Sequence, residues 1–332
     1  MQHVAVVGSG SWGTALAVHL ARVGHDVTLW GRDASLVSEM RQRQANPIYL
    51  PDIVFPTGLQ PTDDLAMALP IASVVVVAVP SHGVRGVARQ MAPHVQPGAL
   101  VVSAVKGIEE HSLRRMTEVL ADELPAAGEV AVLSGPSFAV ELARGLPTAV
   151  VVASASPSTV LQVQAEFRSP FLRLYGTADV IGVEIGGALK NTIAIAAGVV
   201  EGLGQGHNAL AALITRGLAE LTRLAVAMGG QRETLSGLAG LGDLVLTCTG
   251  GLSRNRHVGA ELARGLGRPH ALGHHLRAGH DLGQRTAALA LGARHGIELP
   301  ITEQMAHVLS GRKDPPSALR ELMDRRQKAE RS

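Results

Sequence analysis

Lys190 stands inside "IGVEIGGALKNTIAIAAGVV" (Ile181 to Val200), a stretch otherwise made of apolar residues and glycines, with Glu184 and Asn191 the main polar exceptions. The chain contains only four lysines, and two of them, Lys313 and Lys328, lie in the charged C-terminal region. An ammonium in apolar surroundings has its charged form disfavoured, and this suits it to exchange a proton near neutral pH. The plainer alternative is a buried ion pair, for which Glu184, almost two helical turns away, is the candidate partner. Lys106 follows the apolar run "ALVVSAV". Carboxyl ends of strands are where ligands bind in α/β sheets, although a solvated loop lysine has the same sequence appearance. A third segment, "GLAGLGDLVLTCTGGLSRNR", offers Asp243, then Thr247 one turn later if the segment is helical. It ends in Ser253, Arg254, Asn255 and Arg256, a cationic and amide cluster suited to a phosphate group. Lys190, Lys106 and Asp243 together have the makings of an acid–base site, with Asn191 and Thr247 as neighbours.

The N-terminus carries the partner such a site needs. In "VAVVGSGSWGTALAVHLA", Gly8, Gly10 and Gly13 have the GxGxxG spacing, directly after a strand-like run and at the start of a helical pattern. In that context the first glycine makes the tight turn, the second lets a pyrophosphate approach the backbone, and the third lets helix and strand pack closely. The helix N-terminus, opened by Ser11 and Trp12, attracts the phosphates. The second strand, "DVTLW", is followed by Gly31 and Arg32. An acidic residue at that place would hold the ribose hydroxyl of NAD, whereas arginine pairs with a 2′-phosphate. NADP(H) is therefore the expected coenzyme, with NAD(H) possible. The alternative is a surface Arg32 beside an Asp33 that caps the next helix.

The elements that must position these groups change character along the chain. Up to about residue 178, short unbroken apolar runs alternate with helical patterns: "HVAVVG", "DVTLW", "ASVVVVAVP", "ALVVSAVKG", "VAVLSGP" and "TAVVVAS". The helices between them include one over "DASLVSEMRQRQ", one from His82 to Met91 and one starting near Ser112. Unbroken runs mark strands covered on both faces, so the fold class is α/β, an N-terminal Rossmann-type parallel sheet. From residue 179 helical patterns take over: Val180–Glu201, Asn208–Met228, a helix after Arg254, Gln284–His295 and Thr302–Leu309. Residues 1–178 are thus expected to form the dinucleotide-binding domain, and 179–332 an all-helical substrate domain. The Lys190 stretch has the length of a membrane span. A charge at bilayer depth costs roughly 2.5–3.5 kcal/mol, so Glu184 and Lys190 favour a core helix and no membrane insertion.

Composition narrows the function further. Thirty cationic against 28 acidic side chains give a formal charge of +2, no footprint for nucleic acid. The single cysteine, Cys248, cannot form an internal disulfide, in keeping with a reducing compartment. "MQHVAVVGSG" has the pattern of a strand and turn, not of a signal peptide. The histidines of "PHALGHHLRAGH" lack Cys or acidic partners at a metal-ligand spacing, so no metal is expected. No GxSxG elbow accompanies Ser134, Ser137 or His82. Two other readings remain open on the residues alone. The Arg254–Asn255 cluster could serve a carboxylate, as in a β-hydroxyacid dehydrogenase, or the chain could sense NADP without turnover.

With these segments in view the chain resembles the bacterial NAD(P)-dependent glycerol-3-phosphate dehydrogenase family over nearly its whole length. The resemblance rests on "GSGSWGTALA", "NPIYLPDI", "AVPSHGVR", "SAVKGIE", "LSGPSFAVELARGLPTAVVVAS", "VIGVEIGGALKNTIAIAAG", "AALITRGLAEL", "GLAGLGDLVLTCTGGLSRNRHVG" and "GIELPITEQM". It implies reversible reduction of dihydroxyacetone phosphate to sn-glycerol 3-phosphate for phospholipid synthesis, by a cytoplasmic homodimer. It further implies that Ser11, Trp12, Arg32, Lys106, Ala139 and Arg254 contact the coenzyme. Lys106, Gly135, Ser137, Lys190, Asn191, Asp243, Ser253, Arg254 and Asn255 would line the substrate site, with Lys190 as proton donor and acceptor. Two departures stand out. "GHNA" puts His207 where the family has an acidic residue, and "DLGQRT" puts Leu282, beside Asp281, where it has a glutamate.

Overall fold

Strand-forming runs that never alternate need cover on both faces. The computed structural model, which describes residues 1–265 and 280–326, builds that arrangement. Its first half runs β1 (His3–Val7), α1 (Ser11–Arg22), β2 (Asp26–Trp30), α2 (Ala34–Arg43), β3 (Ala45–Asn46), β4 (Leu50–Val54), β5 (Leu59–Thr62) and the short α3 (Leu65–Ala68). It continues through β6 (Val74–Val77), α4 (Val84–Met91), β7 (Leu100–Ser103), α5 (Met116–Glu123), β8 (Val130–Ser134), α6 (Ala139–Ala143), β9 (Thr148–Ala153), α7 (Pro157–Phe167) and β10 (Leu172–Thr177). Eight strands form one sheet in the order β10-β9-β8-β7-β6-β1-β2-β5, while β3 and β4 make a separate small hairpin. The central valines Val74 to Val77 are buried on alternate faces by two core clusters, one under α1 and α2, the other under α4 and α5.

The expectation of a parallel sheet needs one correction, because β9 runs antiparallel to β8 and β10 parallel to β9. The segment between β8 and β9 contains only the five-residue helix α6. Such a helix spans roughly 8 Å, too short to carry the chain back across the sheet, so β9 enters from the end where β8 leaves. A second correction concerns the helix expected from Ser112, which begins at Met116. Residues before it form a tight turn, with Leu113 at φ 61° and an isolated bridge between Ile108 and Arg115.

Beyond β10 the described residues are helices and turns. They are α8 (Val180–Gly202), α9 (Gly206–Ala227), α10 (Arg232–Ser236), a π-helical turn (Leu238–Gly242), α11 (Asp243–Thr249), α12 (Arg254–Ala263), α13 (His280–His295), α14 (Pro300–Ser310) and α15 (Pro315–Met323). Helix α8 is the axis. Asp179 caps its N-terminus by accepting from the Gly182 amide at 2.8 Å, and its apolar residues are buried nearly all round. It is long and apolar enough to cross a membrane by length and composition, yet 83% of its most apolar window is buried within this fold. Close approach explains its glycines: a Cβ on Gly198 would lie 1.9 Å from the Arg256 carbonyl oxygen, and one on Gly259 of α12 would lie 2.0 Å from that of Ile195.

Candidate active site

Strands β1, β6, β7 and β8 are mutually parallel, so their carboxyl ends share one edge of the sheet. The order reverses between β1 and β6, and a ligand crevice opens at such a switch point. Gly8 lies there at φ +124°, and a Cβ on it would fall 2.7 Å from the carbonyl of Ala78, just past β6. A Cβ on Gly13 would stand 1.8 Å from the Gly8 oxygen, so helix α1 is seated directly on the turn. Gly10 differs, since nothing lies within 4 Å of where its Cβ would be. Gly10 is also the N-cap of α1, without a side-chain cap, and the first turn, with Ser11 and Trp12, has no acidic residue. Uncapped amides beside an open backbone fit the pyrophosphate of a dinucleotide. Trp12, Ala78 and Ala139, the first residue of α6, pack half-buried on the same core cluster.

At the end of β2, Gly31 presses on Ser9, whose Oγ would be 2.4 Å from an added Cβ. Arg32 is exposed. Asp33 caps α2, its Oδ1 accepting from the amides of Ser35 at 3.0 Å and Leu36 at 3.1 Å. The acidic group nearest the strand end is therefore turned to its own helix.

Two strands along from β1, roughly 10 Å at ordinary strand spacing, Lys106 follows β7. Its Nζ donates to Asp243 Oδ2 at 2.6 Å and to the Gly135 carbonyl, just past β8, at 3.1 Å. Lys190 reaches the same aspartate from α8, donating to Oδ1, and donates to Thr247 Oγ1 at 2.9 Å. Asp243 is thus clamped between two ammonium groups, at 0% exposure, with Lys190 at 9%. The Thr247 hydroxyl donates to the Asp243 carbonyl at 2.6 Å, one turn back on α11, which leaves its lone pairs to Lys190. Gly187 makes the room: a Cβ there would sit 2.8 Å from Ser134 Oγ and 3.4 Å from Lys106 Cγ. Burial pulls the Lys190 amine down to about 8, the attraction of Asp243 opposing this and the repulsion of Lys106 adding to it. An amine that titrates there can give up and recover a proton near physiological pH. The suspected pair of Lys190 with Glu184 does not form. Glu184 is buried against α5, accepting from Arg115 Nη1 at 2.7 Å, the Thr117 amide at 2.9 Å and the Thr117 hydroxyl at 2.7 Å.

Other candidate residues are placed around this cluster with fewer constraints. Ser137 Oγ donates to the Gly135 carbonyl at 2.9 Å, the acceptor it shares with Lys106. Ser253 is the N-cap of α12, accepting from the Arg256 amide at 3.3 Å. Arg256 pairs with Glu201. Arg254 is exposed and Asn255 half-buried in the first turn of α12, and neither side chain has a hydrogen bond within the described residues. Asn191 is half-buried on α8, and His207 is exposed at the start of α9. Cys248, one turn from Leu244 on α11, is buried, and burial pushes its thiol up to about 12. The histidine-rich stretch at 269–279, the side chains of His280, Asp281 and Leu282, and the end of the C-terminal tail lie outside the described residues.

One participant carries no catalytic signature in the sequence. Asn46, in the hairpin of β3 and β4, is fully buried and bonds to Ser9 of the glycine turn and to Thr14 in the first turn of α1. The only signal for it is an asparagine before a proline in "NPIYLPDI", a pattern equally suited to an ordinary turn.

Comparison with known proteins agrees with this arrangement. Residues 3–160 match the model of the NAD-dependent glycerol-3-phosphate dehydrogenase N-terminus, and residues 179–320 that of the C-terminus. The glycerol-3-phosphate dehydrogenase (NAD(P)+) of Geobacter sulfurreducens is 50% identical, covering 99% of both chains. That of Thioalkalivibrio sulfidiphilus is also 50% identical, covering 98% of both. The crystal structure of glycerol-3-phosphate dehydrogenase from Coxiella burnetii superposes with a TM-score of 0.93 at 41% identity, covering 98% of this chain and 99% of that one. With both family models matched in order along the chain and relatives half identical over its whole length, this protein belongs to the NAD-dependent glycerol-3-phosphate dehydrogenase family.

Proposed function

We propose that the chain catalyses the reversible NAD(P)H-dependent reduction of dihydroxyacetone phosphate to sn-glycerol 3-phosphate, with Lys190 as the proton donor and acceptor. The observation that carries the assignment of roles is the single carboxylate of Asp243 held between Lys106 and Lys190 at the carboxyl edge of the sheet. The residues around Gly10 fit a dinucleotide: the amides of α1 would hold its pyrophosphate, with Ser11, Trp12, Arg32, Lys106, Ala139 and Arg254 as further contacts. Bound there, the nicotinamide supplies the hydride. The chain's own part is to place the ketone and manage the charge. Lys190, as ammonium, gives its proton to the carbonyl oxygen as negative charge grows there, and Lys106 stabilises that charge. Asp243 balances both cations and aims Lys190, with Thr247 fixing the other side of the amine. Arg254 and Asn255, with Ser253 at the cap, grip the phosphate, so that binding energy remote from the reaction holds the carbon in place. Gly135, Ser137 and Asn191 complete the wall of the substrate site.

NADPH is the preferred coenzyme in this reading, because Arg32 is free at the end of β2 while Asp33 is occupied as a helix cap. Residues 1–178 would act as the dinucleotide-binding domain and 179–332 as the substrate domain, divided at the turn between β10 and α8. The apolar burial of α8 supports a core helix without membrane insertion, and a cytoplasmic location is part of this reading on the family resemblance. A homodimer is part of this reading on the family resemblance alone. The product would supply glycerophospholipid synthesis. A spectrophotometric assay that varies ketone and coenzyme tests the reading. Dihydroxyacetone phosphate should drive oxidation of NADPH more efficiently than of NADH, whereas failure to oxidise either coenzyme would overturn it. Replacing Arg254 by alanine should raise the KM for dihydroxyacetone phosphate roughly tenfold to a hundredfold, the worth of one charge-assisted hydrogen bond. An unchanged KM would remove Arg254 from the phosphate grip.

A further inference from the structure

Asn46 makes four side-chain hydrogen bonds. Its Nδ2 donates to the Ser9 carbonyl at 2.9 Å and to Thr14 Oγ1 at 2.9 Å. Its Oδ1 accepts from the Ile48 amide at 3.3 Å and the Tyr49 amide at 3.1 Å. A primary amide offers two donor hydrogens and two acceptor lone pairs, so this one is saturated. Its orientation is determined as well, since a flip would set N–H against two amides and oxygen against a carbonyl. Thr14 adds a second donor to the Ser9 oxygen, at 3.3 Å.

Ser9 lies between Gly8 and Gly10, and its carbonyl belongs to the same peptide unit as the Gly10 amide. In a trans peptide those two groups point in opposite directions; the described residues contain no cis peptide bond. Fixing the Ser9 oxygen toward Asn46 and Thr14 therefore aims the Gly10 N–H away from them. Glycine on the C-terminal side of this peptide unit lowers the steric resistance to its rotation, because φ of Gly10 meets no Cβ. If it turned over, the negative end of its dipole would replace the positive end in the phosphate crevice. We infer that Asn46 is a positioning residue for coenzyme binding, holding the Ser9–Gly10 peptide in its anion-accepting orientation and tying the β3–β4 hairpin to the glycine turn. The inference rests on the reading of that turn as the dinucleotide site. It assigns Asn46 no contact with the coenzyme or the substrate.

Steady-state kinetics with NADPH and dihydroxyacetone phosphate, together with NADPH titration by fluorescence, test it on the full chain. For Asn46→Ala the dissociation constant and KM for NADPH should rise roughly tenfold, about 1.4 kcal/mol. The KM for dihydroxyacetone phosphate, and kcat at saturating coenzyme, should change less than about threefold. Asn46→Asp keeps the acceptor for the hairpin amides but faces the Ser9 carbonyl with an oxygen, and should weaken NADPH binding further. Thr14→Val removes the second donor and should show the same split more mildly, which keeps the test decisive if Asn46→Ala does not fold. NADPH binding as tight as wild type in Asn46→Ala and Thr14→Val overturns the inference. So does a loss shared equally by NADPH, ketone and kcat, the result a merely structural role gives. Failure of the wild-type chain to bind NADPH would instead sink the dinucleotide site itself.

Discussion

Replacing Lys190 by alanine is expected to lower kcat for ketone reduction by roughly 10²- to 10⁴-fold, the usual contribution of a positioned general acid. The NADPH dissociation constant should stay near that of wild type, because Lys190 is anchored on α8 to Asp243 and Thr247 and not on the glycine turn. The wild-type pH profile carries the same assignment. Burial sets the Lys190 amine at about 8. Reduction needs the ammonium form, so its rate should fall as pH rises through about 8, where the proton is lost. Oxidation of glycerol 3-phosphate needs the free amine and should rise through the same range. Initial rates in both directions, measured at saturating coenzyme, make the comparison. A Lys190→Ala enzyme with wild-type turnover, or profiles moving together in the two directions, would take the proton transfer away from this residue.

Asp243→Asn should be the more damaging change to the protein as a whole. The side chain keeps its shape but loses the charge that two ammonium groups share. Stripping the counter-charge from a buried pair typically costs about 3–5 kcal/mol. The cost is bounded here because Lys190 can shed its proton, which it already holds weakly. The attraction of Asp243 is the largest influence raising the Lys190 pKa, while Lys106 lowers it. Without the carboxylate the amine should therefore titrate below about 8 and be neutral over more of the working range. Two results are expected: a lower midpoint of thermal unfolding, and a fall in the reduction rate that begins at lower pH than in wild type. A variant that unfolds like wild type and retains its pH profile would show that Asp243 does not balance the lysines.

The sequence by itself determined the α/β half of the protein. Apolar runs such as "VVVV" and "LVVS" dictate buried strands, and the GxGxxG spacing between strand and helix dictates a tight turn with the helix seated on it. Both signals are local, written within a few residues by steric and hydrophobic rules. It also singled out Lys106, Lys190 and Asp243, since cations and glycines among apolar residues stand out in any reading. Their grouping in one site came with the family resemblance and not from spacing: residues 106, 190 and 243 lie on a strand end, a helix and a second helix, and nothing in their separation names a partner. Glu184, the nearer acid in sequence, belongs instead to Arg115 and Thr117. Only the tertiary structure decided that, because α8 turns Glu184 toward α5 and Lys190 toward α11. The same holds for the reversal of β9, forced by too short a crossover, and for Asn46, whose amide acts on residues 37 and 32 positions away in the chain. Strands and helices follow from neighbours in sequence; a charge finds its counter-charge, and an amide its carbonyl, only when packing brings distant segments into contact.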